Sequence, residues 1–458
     1  MFETISPIDG SVFYKGEKHS LKDIKNALEL ANKAQKDWAA LTIKQRATFI
    51  KAWVDAVVAN APQIAEEITW QMGRPLSQSP GELRGFQDRA NYMIGIAEDA
   101  LQPQAIEDNM STKRWLERIP LGTVAILSPW NYPLLTSVNA IVPALMAGNT
   151  VILKHSFQTP LVAEQYAKAA KQVGLPQGVF QILHLNHQDT ATLISDTRID
   201  GVFFTGSVAG GIAVQQSLKN RFIPCGLELG GKDPAYVMAD ADLDKSVENL
   251  VDGAFFNSGQ SCCGIERIYV HESLYDKFVD GFVDFTKQYR LGNPLEPNTN
   301  LGPMVKTSAA DYIRQQIEQA LNKGAISLVD ETLFSASKKG TPYLAPHVLV
   351  DVDHSMDVMS QESFGPVIGI MKVKDDAEAI TLMNDSQYGL TASIWTADRD
   401  AATNIANQLE TGTVFMNRCD YLDPALAWTG VKNSGRGVTL SKIGYEHVTR
   451  VKSFNFRA

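Results

Sequence analysis

Cysteine is scarce in this chain. Four are spread over 458 residues, Cys225, Cys262, Cys263 and Cys419, too few to staple a fold of this length with disulfides. None belongs to a CxxC pair of the kind that holds zinc. A reducing compartment and no metal site are therefore expected. Excess positive charge is also lacking: 42 Lys and Arg stand against 51 Asp and Glu, a formal net charge of −9. Nucleic acid and anionic membrane both recruit clustered cations, so neither is an expected partner. No apolar run reaches the roughly 18 residues that span a bilayer. Met1 to Tyr14 has neither the basic start nor the apolar stretch of a signal peptide, and a cytoplasmic protein is expected.

What remains is an ordinary soluble composition, 44% hydrophobic and 20% charged. The length exceeds what one core serves, so two or three domains are expected. The first hundred residues read as helices. Ser20 with Asp23 resembles a capping box before Ile24, Leu28, Ala31 and Trp38 at helical spacing. A second helix follows Thr42, and a third follows Pro62 and ends near Gly73.

Near residue 122 the pattern changes. Val124–Leu127, Thr150–Leu153, Val179–Leu183, Gly201–Phe204 and Ile223–Leu227 read as short strands, each followed by a turn and a helical stretch such as Thr136–Ala147. Alternating βα units imply a parallel sheet with helices on its faces. Ligands of such sheets bind beyond the carboxyl ends of the strands. A second series begins near Asp233, with strands at Tyr236–Met238, Ile265–Val270, Pro366–Val373 and Leu390–Trp395. Its helices are Asp242–Phe256, Leu274–Tyr289 and Ala377–Asn384. Lys113–Ile119 and Val448–Phe456 stand apart as further strands.

Three segments carry candidate chemistry. Gly259-Gln260-Ser261-Cys262-Cys263 follows an apolar helix, and Gly259 suits a tight turn there. A cysteine at a helix terminus can be nucleophilic, and a buried structural cysteine is the plain alternative. Glu228 ends a strand in Leu227-Glu228-Leu229-Gly230-Gly231-Lys232. Burial there would raise its pKa and suit it to general-base work, whereas an exposed loop glutamate would do nothing. Asn131, in Ser128-Pro129-Trp130-Asn131-Tyr132-Pro133, could donate to a developing oxyanion or simply occupy a turn.

Taken together these segments resemble the aldehyde dehydrogenase superfamily over nearly the whole chain. The resemblance also rests on Lys154 after a strand, Phe204-Thr205-Gly206-Ser207, Glu362-Ser363-Phe364-Gly365-Pro366 and Ser434-Gly435-Arg436-Gly437, all in the family's order. It implies an aldehyde dehydrogenase-like α/β fold with three parts. Residues 1-110 and 121-229 would form a Rossmann-type NAD(P)-binding domain and 230-430 an α/β catalytic domain. Residues 111-120 and 431-458 would form a small oligomerisation β-extension of a homodimer or homotetramer.

The resemblance implies the chemistry as well. Cys262 attacks the aldehyde, Asn131 and the Cys262 backbone N–H hold the oxyanion, and hydride leaves to a nicotinamide. Glu228 then activates the water that hydrolyses the thioester. Cys263 is read as a small core-facing neighbour rather than the nucleophile. Ser207 and Gly206 should meet the pyrophosphate and Lys154 the adenosine ribose. Glu362 and Phe364 should meet the nicotinamide ribose and ring, with Trp130 lining the same cleft. Many NAD-preferring relatives carry a Glu where this chain has Phe157, so NAD is expected and NADP is not excluded.

The substrate expectation runs against one branch of the family. Lys154-His155-Ser156 resembles short bacterial succinic semialdehyde dehydrogenases. Their carboxylate-binding arginines, however, fall at Asn139 and Phe256 here, and no cation is expected to replace them. Tyr132, Asn139, Phe256, Tyr421 and Trp428 suggest an apolar or aromatic tunnel. Asp420 could attract an amino-aldehyde but reads better as a solvated turn residue. Semialdehyde or amino-aldehyde oxidation, CoA acylation and a non-catalytic scaffold are the alternatives.

Overall fold

The computed structural model of the chain describes residues 1–107 and 112–457. Two parallel sheets dominate it. The first orders its strands as Gly435–Arg436, Cys225–Glu228, Gly201–Thr205, Thr123–Ser128, Thr150–His155 and Phe180–Ile182. Only Gly435–Arg436 runs antiparallel, against Cys225–Glu228. The chain moves outward from Thr123–Ser128 to one side, then crosses back to continue on the other side from Gly201–Thr205. The direction of winding thus reverses between these two neighbours. Their following loops diverge and leave a crevice, the usual ligand position in such sheets.

The second sheet orders Ile326–Ser327, His347–Val350, Val367–Val373, Ile265–His271, Asp233–Val237, Thr391–Trp395 and Thr413–Met416. It is parallel except for Ile326–Ser327. The central strands are buried on both faces, as is usual in parallel sheets covered by helices.

A third, antiparallel sheet pairs Thr449–Arg457 with Thr112–Pro120, which in turn holds Gln104–Ala105. The two stretches that stood apart in the sequence are therefore partners. Trp115 stacks on Phe454 at 4.5 Å and meets Phe456 edge-on. Residues 108–111 and 458, at the margins of the expected first and third segments, lie outside the described residues.

The capping box expected at Ser20 is formed, and a second one stands at Thr42. Ser20 and Asp23 cap helix Leu21–Ala40, and Thr42 with Gln45 caps Ile43–Val58. The third helix, Ala61–Met72, takes Pro62 into its first turn and stops at Gly73, whose φ is +86°. Several elements were not read from the sequence. They are the N-terminal hairpin Phe2–Ile5 with Val12–Gly16, the helices Ser79–Leu101 and Thr307–Asn322, and the strands His347–Val350 and Thr413–Met416. The helix read as Thr136–Ala147 begins three residues earlier, at Pro133, where the ring's fixed φ suits a first helical position. The strand read as Ile223–Leu227 is Cys225–Glu228, because its register is set by pairing with Gly201–Thr205.

Candidate active site

Cys262 lies on the short segment between helix Leu243–Phe255 and strand Ile265–His271. The turn before it is tight. Asn257, Ser258 and Gly259 have φ of 53°, 58° and 70°, a left-handed run that two non-glycine residues rarely share. Its surroundings hold it there. Arg74 donates to Asn257 Oδ1 at 3.1 Å, Ser258 Oγ to Gly302 O at 2.8 Å and Gln260 Nε2 to Asn257 O at 3.1 Å. At Gly259 a Cβ would meet Gly365 O at 2.3 Å, so the position requires glycine on two counts. Such strain persists where packing over-determines it, commonly at sites of chemistry.

Two cavities meet at this segment. One, of about 390 Å³, is walled by Tyr132, Asn139, Phe256, Tyr421 and Trp428 together with Cys262 and Glu228. The other, of about 520 Å³, is walled by Trp130, Asn131, Gly206, Ser207, Glu362 and Phe364, again with Cys262 and Glu228. Cys262 and Glu228 thus face both. Cys263 and Cys419 face only the first cavity and Cys225 faces neither. Cys263 is packed into the core, and its thiol donates to Asp420 at 2.9 Å. Hydrogen bonding with Cys262 and burial hold the Cys263 thiol well above its ordinary range.

Glu228 ends its strand with the carboxylate buried. It accepts from Thr205 Oγ1 at 3.0 Å and from Thr439 Oγ1. Burial pushes its pKa up, and those hydroxyls and Arg89 pull it only partly back. A carboxylate raised in this way can take a proton from water near neutral pH.

Asn131 donates its amide to Gln260 O at 3.3 Å. Its own carbonyl is gripped from below by Arg74 and by Asn257 Nδ2 at 3.4 Å. Arg74 is ion-paired with Glu82, both side chains at 1% exposure or less, and its guanidinium lies over the Tyr132 ring at 4.5 Å. Glu82 also accepts from Leu134 N at 2.7 Å and Leu135 N at 3.3 Å, capping the helix that starts at Pro133. Neither Arg74 nor Glu82 figured among the candidates drawn from sequence.

The second cavity suits a nucleotide. Ser207 caps helix Val208–Ser217, and a Cβ on Gly206 would meet the Phe204 ring at 2.5 Å, so backbone alone fits at that turn. Glu362 accepts from Gly231 N at 3.1 Å, and burial pushes its carboxyl up to about 8. Gly230 approaches that carboxylate so closely that a Cβ would meet it at 2.1 Å. Phe364, at φ 55°, meets Trp130 edge-on at 5.8 Å. Glu266 fixes this corner by accepting from Ser363 N and Phe364 N, each at 2.8 Å, and from buried Lys232 at 2.6 Å.

Lys154 and Phe157 do not wall that cavity; they sit where strand Thr150–His155 ends. Burial pushes Lys154 down to about 8, and among the described residues its ammonium has no acidic partner and rests 5.4 Å from the Phe157 ring. Phe157 stacks on Phe2 at 4.3 Å, so the unforeseen N-terminal hairpin closes over this corner.

Two expectations need correction. Asp420 is not a solvated turn residue. It faces the first cavity, accepts from Ser261 Oγ at 3.0 Å and from Cys263, and is pushed up to about 6 by burial. Nor is the cavity without a cation. Arg89, from helix Ser79–Leu101, enters its wall and donates to Asn139 Oδ1 at 3.3 Å.

Comparison with known proteins agrees with this geometry. A family model described as "Aldehyde dehydrogenase family" matches residues 1–454. The chain is 34% identical to the NAD(P)+ succinate semialdehyde dehydrogenase Sad of Escherichia coli strain K12, over 94% of this chain and 92% of that one. It is 33% identical to the peroxisomal aminoaldehyde dehydrogenase 1 of Pisum sativum, over 92% and 85%. Its fold superposes with a TM-score of 0.95 on the succinic semialdehyde dehydrogenase of Streptococcus pyogenes in complex with NADP+, at 26% identity with both chains fully covered.

Proposed function

The chain belongs to the aldehyde dehydrogenase family, and from that premise we propose that Cys262 carries the acyl group, Glu228 activates the water that releases it and Asn131 holds the oxyanion. The enzyme is an NAD(P)-dependent oxidoreductase that acts on aldehydes. The observation supporting these roles is that Cys262 is the one cysteine facing both cavities, with Glu228 beside it in each.

The Cys262 thiolate adds to the aldehyde carbon, and the carbonyl electron pair moves onto oxygen. Asn131 Nδ2 and the Cys262 backbone N–H stabilise that oxyanion. A nicotinamide cofactor supplies the acceptor for the hydride that leaves the adduct. Ser207, Gly206, Lys154, Glu362, Phe364 and Trp130 are the residues that would hold it. A thioester on Cys262 remains. Glu228 takes a proton from water, the water oxygen adds to the acyl carbon, and Cys262 departs as thiolate with the carboxylic acid as product.

Phe157 offers no carboxylate to repel a 2′-phosphate, which supports use of NADP beside NAD. Tyr132, Phe256, Tyr421 and Trp428 support a substrate with an apolar or aromatic body. Residues 1-110 with 121-229 and residues 230-430 are assigned to the two halves around the site. The paired strands Thr112–Pro120 and Thr449–Arg457, with Phe456 exposed, are assigned to a homodimer or homotetramer interface.

An absorbance assay of NADH and NADPH formation over an aldehyde panel tests the reading. Product should form without CoA, and Cys262→Ala should form none. Full turnover by that variant, or strict CoA dependence, contradicts it.

A further inference from the structure

Two cysteines stand side by side, and both wall the 390 Å³ cavity. The loop after strand Thr413–Met416 bears on which of them reacts. Asn417 anchors its start, donating to Thr396 O at 2.8 Å and accepting from Thr396 N at 3.0 Å. Cys419 presses on helix Leu243–Phe255, where a Cβ on Gly253 would meet its Sγ at 2.5 Å. Asp420 follows with φ 46°, a backbone conformation uncommon outside glycine. Its Oδ1 accepts from Ser261 Oγ at 3.0 Å and from Cys263 Sγ at 2.9 Å. One oxygen thus holds the residues on both sides of Cys262, while Cys262 faces both cavities. The aldehyde chemistry itself uses neither Asp420 nor Cys263.

A thiol that donates to a carboxylate is poorly disposed to ionise. Ionisation would remove the donated bond and set a thiolate beside a like charge. Burial pushes the Asp420 carboxyl up only to about 6, so it is largely charged at neutral pH. Hydrogen bonding with Cys262 and burial also raise the Cys263 thiol, ahead of Asp420. The other groups that face this pair are Arg89 from helix Ser79–Leu101, Asp252 from helix Leu243–Phe255 and the Tyr132 phenol, which Arg74 covers. Arg418, in the same loop, lies over the Tyr421 ring at 3.2 Å. We propose that Asp420 is a positioning residue that selects the nucleophile: it holds Cys263 as a thiol on its own carboxylate and fixes both flanks of Cys262, so that Cys262 alone meets the aldehyde. This rests on Cys262 as the site of aldehyde addition.

The test is the pH dependence of Cys263 alkylation by iodoacetamide, which reacts with the thiolate. It is followed by peptide mapping in Cys262→Ala, where the neighbouring thiol no longer contributes. Adding Asp420→Asn keeps an oxygen acceptor at nearly the same volume and removes the charge. The labelling midpoint should then fall by about one pH unit or more, so that Cys263 reacts ~10-fold faster below it. An unmoved midpoint, with labelling quicker by one factor at every pH, would make Asp420 a packing group and overturn the proposal.

Kinetics with Cys262 in place read the second half of the role. Asp420→Leu, which holds neither flank, should lose up to ~10²-fold in kcat with KM for cofactor unchanged. Asp420→Asn should lose less. Full kcat in Asp420→Leu contradicts the positioning role. Aldehyde oxidation by Cys262→Ala would refute the reaction, and the choice of Cys262 with it. An unmoved midpoint in an inactive Cys262→Ala protein refutes only the role of Asp420.

Discussion

Replacing Arg74 with Met is the perturbation with the most to lose. The guanidinium makes an ion pair with Glu82, bonds to Asn131 O and Asn257 Oδ1, and covers the face of Tyr132. Removing it strands a fully buried carboxylate that keeps only Leu134 N and Leu135 N as donors. Breaking a buried pair from one side costs ~3–5 kcal/mol. Unfolding entropy of roughly 2.1 cal/mol/K per residue over 458 residues comes to about 1 kcal/mol per degree, so a cooperative transition should shift down by about 3–5 °C. The double variant Arg74→Met, Glu82→Leu removes the stranded charge and should recover most of that shift. Activity should not recover with it, because Asn131 and the Asn257 turn are then held by neither partner. The loss should approach that of an oxyanion donor, ~10²–10³ in kcat. Differential scanning fluorimetry with steady-state kinetics reads both quantities. A single variant that melts within about a degree of wild type, or a double variant that regains full kcat, would show that this buried pair does not position the oxyanion site.

Other outcomes follow from the same geometry. Glu228→Gln should retain the first-turnover burst of NADH and then turn over ~10²–10⁴-fold more slowly, since the base is needed for water and not for the first addition; loss of the burst contradicts its role. Because burial raises the Glu228 carboxyl, deacylation should climb with pH over a range above that of an ordinary glutamate, and the variant should lose that limb. Lys154, pushed down to about 8, is protonated below that pH and neutral above it, so KM for cofactor should rise as pH passes about 8. An unperturbed lysine would hold its charge to about 10.4, and a KM flat through about pH 9 would remove Lys154 from the cofactor site.

Local signals in the sequence carried well into the structure. Capping hydroxyls placed the first helices, and β-branched runs placed most strands of both sheets to within a few residues. The motif residues Cys262, Glu228, Asn131, Ser207 and Glu362 converge on two joined cavities. The residues that escaped notice act at long range. Arg74, Glu82 and Arg89 come from a stretch not read as an element, and their partners lie up to 183 positions away in the chain. A signal was nonetheless present. Leu83, Phe86, Ala90, Met93 and Ala97 mark a buried stripe on helix Ser79–Leu101, and Glu82 and Arg89 fall on it at helical spacing. Charges on an apolar stripe need buried partners, and one of these two has its partner while the other faces the cavity. Asp420 was misjudged for a related reason: its loop is rich in turn residues, yet Ser261 and Cys263 draw its carboxylate inward.

The central claim is a thioester on Cys262, and acid-quenched peptide mapping tests it directly. Glu228→Gln is mixed with NAD and a good aldehyde substrate, quenched within the burst and analysed by mass spectrometry. One acyl group per active site is expected, on the thiol of Cys262. An acyl group on Cys263, or steady NADH production with no acylated peptide, would contradict it.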